Sequence, residues 1–286
     1  MSSDPTVADF PLERRESGRV RSMVALYLAT MRMAIQSQIQ YRAANYFYML
    51  GMVAEPVIYL VVWTTIAEQQ GGSVQGLSAG YFAAYYIVWT LVRNMNIVFG
   101  APYWEYRIRE GELNRDLLRP VLPLHYDIAY FAGWKFVVIL FWIPLAVGLS
   151  LVFDPTLDPR ALEVVVFAVA IWGAYLIRTM LQESLGMLCF WTTRGAAIFD
   201  LYMTTELLLS GRLVPLPLMP DWVEDIAQFL PFQYAFFFPI DSLVGDMSDG
   251  ELLRGLLAQL LWILIGLAIF RLAWKHAIKR YSAVGG

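Results

Sequence analysis

The chain has 286 residues, 58% of them hydrophobic and only 16% charged, and its mean hydropathy is +0.53. Soluble domains carry about 25% charged residues, so the composition excludes an ordinary soluble domain and points to an all-α integral membrane protein. The net charge of −3 says little by itself, because in a membrane the placement of charge outweighs its sum; no nucleic-acid partner is expected.

Residues 1–42 open with "MSSDPTVADFPLERRESGRVRS", a polar stretch without the apolar core of a cleaved signal peptide. This N-terminus is therefore expected to stay in the cytoplasm. A helix follows in which Val20, Val24, Tyr27, Leu28, Met31 and Ile35 share one face and Arg21, Ser22, Arg32 and Gln36 the other. That pattern fits an amphipathic helix lying in the membrane interface, or one packed on a partner.

A transmembrane domain is expected over 43–275, because six stretches approach the roughly 20 apolar residues a crossing needs. They are 43–67, 81–101, 128–153, 162–190, the shorter 196–213, and 256–274. Four ionisable residues fall inside them: Glu55 before Pro56 in span one, Arg178 and Glu183 in span four, and Glu206 in span five. Charges at membrane depth are costly and are retained for function or for mutual pairing. Arg178 needs a partner, which Glu55 or Glu206 can supply; whether the group also touches a transported molecule stays open. The same two readings, path lining or packing, apply to Tyr46, Phe47, Tyr48, Tyr85, Tyr86, Trp89, Trp134 and Trp142. Cys189 is the single cysteine, which excludes an intrachain disulfide and a cysteine metal site, and it reads as a small apolar residue.

Arginine and lysine placement sets the orientation. Residues 1–42 hold Arg14, Arg15, Arg19, Arg21, Arg32 and Arg42. The stretch between spans two and three holds Arg107, Arg109, Arg115 and Arg119, the loop after span four holds Arg194, and the 276–286 tail and its approach hold Arg271, Lys275, Lys279 and Arg280. The opposite loops are poor in these residues: "EQQGGSVQGLSAG" has none. Both termini are expected in the cytoplasm of a multi-pass protein of the inner or plasma membrane.

Eight of the fifteen residues from Glu105 to Arg119 are charged. Trp104, Ile108, Leu113 and Leu117 recur near helical spacing, which predicts a helix over 103–119 ended by Pro120 and Pro123. A positive-inside anchor needs the arginines but not Glu105, Glu110, Glu112 and Asp116 as well. Mixed charge beside an apolar stripe also fits a surface that docks another protein.

The segment "REGELNRDLLRPVLP" resembles the "R-E-x-G-T-L-E-x-L-L…P" signature of ABC-2 type permeases, through Arg109, Glu110, Gly111, Leu113, Leu117, Leu118 and Pro120. Glu112 stands where the signature has Thr and Asn114 where it has Glu. A second stretch, "LLLSGRLVPLPLMPDWVEDIAQFLPFQYAFFFPIDSLVG", is similar to the segment that forms re-entrant helices between the last two spans of that family. Pro215, Pro217, Pro220, Pro231 and Pro239 interrupt it too often for a crossing, and broken backbone survives at membrane depth only when shielded by protein or lining a cavity. Trp222 and its aromatic neighbours suit the interface.

The resemblance implies a six-span ABC-2 (type V exporter) fold: an interface helix, a cytoplasmic coupling helix over 103–119, and an extracellular re-entrant hairpin over 214–245. It implies docking of an ATPase through Arg107, Arg109, Glu110, Gly111, Glu112, Leu113, Arg115, Leu117 and Arg119. It also implies gating by Pro215, Pro217, Pro220, Trp222 and Pro231, and a divergent branch related to drug and viologen-type exporter permeases. No phosphate loop G-x-x-x-x-G-K-[ST] occurs, so ATP and Mg are expected on separate ABC ATPase subunits, with no cofactor or catalytic residue in this chain. A second permease subunit, identical or related, and the lipid bilayer complete the expected partners. The rival readings are a non-transporting scaffold that recruits a soluble protein through the charged segment, and an ion-driven transporter, for which inverted repeats are not evident.

Overall fold

In the computed structural model, residues 17–98, 100–192 and 195–281 are described. Arg14, Arg15 and Arg194, which bear on the orientation, lie outside them.

Among the described residues, four helices are long and apolar enough to cross a membrane: Arg42–Gln69, Pro123–Phe153, Ala161–Phe190 and Asp249–Arg280. The chain starts with α1 (Ser17–Gln40) and α2 (Arg42–Gln69), then a two-stranded hairpin, β1 (Ser73–Val74) and β2 (Leu77–Ser78). This hairpin is a small departure from an all-α fold. Its turn sets Gln75 and Gly76 at φ +49° and +86°, the doubly left-handed geometry of a type I′ turn.

The other two expected spans are shorter than foreseen. α3 (Ala79–Met95) has 17 residues, and Asn96 caps it, so it stops six residues before Ala101. α8 (Gly195–Leu209) has 15 residues and gives way at Gly211, φ +79°. At 1.5 Å per residue they reach about 26 Å and 23 Å, just under the ~30 Å hydrocarbon core. α3 is nevertheless the best enclosed segment: Phe82 to Val92 is buried without interruption. A helix apolar on all sides belongs in the interior.

The charged segment is not one helix. α4 (Ala101–Arg109) and α5 (Leu113–Leu117) are separate, because Gly111 takes φ +73° immediately after the cap residue Glu110. A left-handed glycine at that position is a standard helix terminator, and it outweighs the helical periodicity of 103–119.

α6 (Pro123–Phe153) and α7 (Ala161–Gly186) follow. α7 is the central helix: 56% of its most apolar window is buried, against 12–17% for the other three long helices. The proline-rich stretch folds as a 3-10 turn (Leu216–Leu218), α9 (Asp221–Ala227), α10 (Pro231–Ala235) and α11 (Phe237–Val244). α12 (Asp249–Ala277) closes the bundle, entered through Ser248 and Glu251, which satisfy each other's backbone N–H.

α1 packs along α6. Val20, Val24 and Leu28 are exposed, while Thr30 and Ala34 are buried. The contact uses small residues: Gly133 of α6 lies against the backbone of Met31 and the methyl of Ala34. Close approach through small side chains drives helix association in membranes, and it leaves Val20, Val24 and Leu28 facing outward.

Candidate functional site

The charged segment is bolted to the bundle by two buried polar links. Trp104 of α4 is wholly buried in a cluster with Leu113, Met187 and Phe270. Its indole Nε1 donates to Glu183 Oε2 of α7 at 2.7 Å. One turn on, Arg107 is 5% exposed and donates two hydrogen bonds to Asp127 of α6, at 2.8 and 2.5 Å. Its guanidinium also lies 4.1 Å from the Tyr103 ring centroid and 3.7 Å from Asp116. Burial works against the charge of Arg107, but the Asp127 carboxylate outweighs it and raises the guanidinium pKa above its ordinary value. α5 is held from the far end of the chain, where Tyr281 donates its hydroxyl to Asn114 Oδ1 at 2.8 Å.

The outward face carries Tyr106, Arg109, Glu110, Arg115, Leu117, Leu118 and Arg119, all exposed. Arg109 and Glu105 pair along α4, as do Arg115 and Glu112 at the start of α5. Of the residues expected to meet an ATPase, Arg107 and Leu113 therefore point inward and anchor the segment. Arg109, Glu110, Arg115, Leu117 and Arg119 are presented; Gly111 and Glu112 are half-buried at the bend.

The intramembrane charges resolve into separate pairs. Arg178 pairs with Glu206, one of its two expected partners. Glu55 instead meets Arg93 of α3 at 2.8 Å and Arg212 at 3.8 Å. Glu183 has the Trp104 indole. Lys135, in the middle of α6 and wholly buried, donates to the carbonyls of Asn94 and Ile97 at 3.1 and 2.5 Å. The two carbonyls stand on either side of the end of α3, and Asn94 O also accepts the Ile97 N–H at 3.3 Å, so the ammonium holds the break between α3 and α4.

Aromatic residues of α3 serve the turn after α8. Tyr85 donates to Gly211 O at 2.9 Å, Trp89 to Arg212 O at 3.0 Å and Tyr86 to Leu213 O at 3.4 Å. Further on, Asn96 donates to Ala235 O at 2.5 Å, and Gln259 to Tyr234 O at 2.8 Å. The broken backbone thus has its carbonyls met by buried side chains, which is what permits it at membrane depth. Tyr85, Tyr86 and Trp89 are packing residues in this role, whereas Tyr46, Phe47 and Tyr48 are exposed on α2. Of the prolines, Pro215 and Pro231 are buried, Pro217 and Pro220 exposed, and Trp222 stands out from the surface.

Sequence reasoning passed over Lys135, Arg93, Arg212 and Asp127. Lys135 and Arg93 carried the same signal as Glu55, a lone charge inside an apolar run. Asp127 sat too near the expected start of span three to count as intramembrane.

The family described as "ABC-2 family transporter protein" matches residues 53–285. A search of the curated proteins found no match. The matched region takes in α3 to α12, with the bolted charged segment, the intramembrane pairs and the proline-rich turn. This chain belongs to the ABC-2 family of transporter proteins: it is a multi-pass membrane permease of an ABC transporter.

Proposed function

We propose that the chain is the permease subunit of an ATP-driven exporter and moves a hydrophobic or amphipathic solute, lipid or glycan outward. It crosses the inner or plasma membrane six times with both termini in the cytoplasm, α3 and α8 serving as the two short crossings. Hydrolysis takes place on a separate ABC ATPase subunit, and a second permease subunit, a copy or a relative, completes the path. The observation that carries this reading is the two-sided build of α4 and α5. One side is fixed inside the bundle by Trp104 and Arg107, and the other offers Tyr106, Arg109, Glu110 and Leu118 in mixed charge. A segment fixed on one side and free on the other passes a push inward as a rigid lever. Force on α4 reaches α7 through Trp104–Glu183 and α6 through Arg107–Asp127.

Affinity purification of the tagged chain from mild detergent tests the reading. A stoichiometric ATPase with its own phosphate loop is expected in the eluate, and Arg109→Ala with Glu110→Ala should leave the chain folded while uncoupling hydrolysis from transport. A chain that emerges alone, even after gentle crosslinking, would overturn the reading in favour of a scaffold with another partner.

A further inference from the structure

Behind the charged segment, between it, α1 and the first turns of α6, lies a cavity of about 540 Å³. That is within the ~300–1,000 Å³ of ordinary ligand pockets. Its charged lining is Arg107, Arg115 and Arg119 against Asp116 and Asp127, an excess of one positive charge.

The pairing inside the cavity decides which sign of ligand it favours. Asp127 is taken by the two-pronged bond from Arg107, and Asp116 lies within 3.3–3.8 Å of all three arginines. Two of the aromatic faces that would welcome a cation are already covered, Tyr103 by Arg107 at 4.1 Å and Tyr126 by Arg119 at 4.4 Å. Donors remain in surplus: each guanidinium carries five N–H groups, more than Asp116, Asp127 and, for Arg115, Glu112 take up, and the buried Arg107 Nε has no hydrogen-bond partner. Arg115 is 64% exposed along its side chain and Arg119 37%, so their unused N–H groups are open to a ligand. Guanidinium matches phosphate geometry two bonds at a time.

The remaining wall is α1, through Ala29, Thr30 and Met33. Exposed Met33, exposed Ala29 one turn back and half-buried Leu26 two turns back continue an apolar strip along α1 away from the charged lining. A basic hollow joined to an apolar helix face at the start of a crossing suits an amphiphile with an anionic head. Basic pockets between helices at this level are known to hold phospholipid head groups.

We propose that this cavity binds the phosphate head of an anionic glycerophospholipid, drawn from the leaflet next to α1. On the orientation argued above that is the cytoplasmic leaflet. The site goes beyond the transport reading and needs neither an ATPase nor a cargo.

The test uses the full chain reconstituted into phosphatidylcholine vesicles with a minor share of phosphatidylglycerol, then extracted gently and weighed intact by native mass spectrometry. One phosphatidylglycerol per chain is expected to survive in preference to phosphatidylcholine. Arg119→Gln should reduce that retention about tenfold, the scale of one charged hydrogen bond, and Ala29→Trp, which fills the cavity from α1, should abolish it. Short-chain phosphatidylglycerol should displace the bound lipid where inorganic phosphate does not. Equal retention of both lipids, or unchanged retention in both variants, would overturn the proposal. Displacement by inorganic phosphate as effective as by the short-chain lipid would overturn the lipid source and leave a free-anion site.

Discussion

Trp104 and Glu183 meet at 2.7 Å in the interior, the indole wholly buried and the Glu183 residue 2% exposed. This single bond ties the charged segment to the central helix of the bundle. Trp104→Phe keeps the packing but removes the donor, leaving a buried acceptor unmet at a cost of about 1–3 kcal/mol. A double-mutant cycle with Glu183→Gln, read by thermal unfolding in detergent, should give a coupling energy above about 0.5 kcal/mol. Additive effects would mean that the bond carries no load.

The Arg178–Glu206 pair should behave as a unit. Glu206→Gln leaves a buried guanidinium without its counter-charge, which costs about 3–5 kcal/mol where such pairs have been broken. Replacing both partners, Arg178→Met with Glu206→Leu, should recover most of the lost stability. If the double variant unfolds as early as the single one, the pair holds something besides itself.

Gly111 separates α4 from α5 by its left-handed backbone. Alanine there pays roughly 1–2 kcal/mol for that conformation, a fall in Tm of about 2–4 °C or somewhat more. Gly111→Asn should fall less, since Asn tolerates the left-handed region. Equal Tm for all three residues would show that the bend is not held at this φ.

Asp241 of α11 accepts from the Tyr81 hydroxyl at 3.0 Å, and burial, helped by the nearby Glu251 charge, pushes its carboxyl up to about 6. In the unfolded chain the group titrates near 4. Between those values the folded state binds the extra proton, so stability falls as pH rises from about 4 to 6. The whole effect is at most about 3 kcal/mol. Asp241→Asn should match the parent near pH 4, exceed it at pH 7, and show a flatter Tm across the window. A parallel pH profile in the two proteins would assign the titration to another group.

Much of this architecture was legible as sequence, because a bilayer imposes harsh rules on composition. The four long helices, the charged segment between apolar runs and the proline-broken stretch each announce themselves by what they contain. What was not legible depends on partners far away in the chain. Span two ends early at Met95, where Lys135, forty residues on, donates to the carbonyls of Asn94 and Ile97. Which residues of α1 meet the bundle depends on where α6 lies, and Thr30 and Ala34 are the ones buried there. Arg178 had two candidate acids, and only folding chose between them. Gly111 was visible, but a single glycine inside a periodic, charged run reads as tolerated rather than decisive.

The three bonds from Tyr85, Tyr86 and Trp89 to the turn at Gly211–Leu213 limit how this end of the molecule moves. Each is worth several kcal/mol where no water can replace it. Swinging the turn away from α3 would forfeit all three together. Any rearrangement that widens this end must therefore carry α3 and the turn as one block. On either side of that block lie the glycine-rich hairpin before α3 and the Lys135-held break behind it.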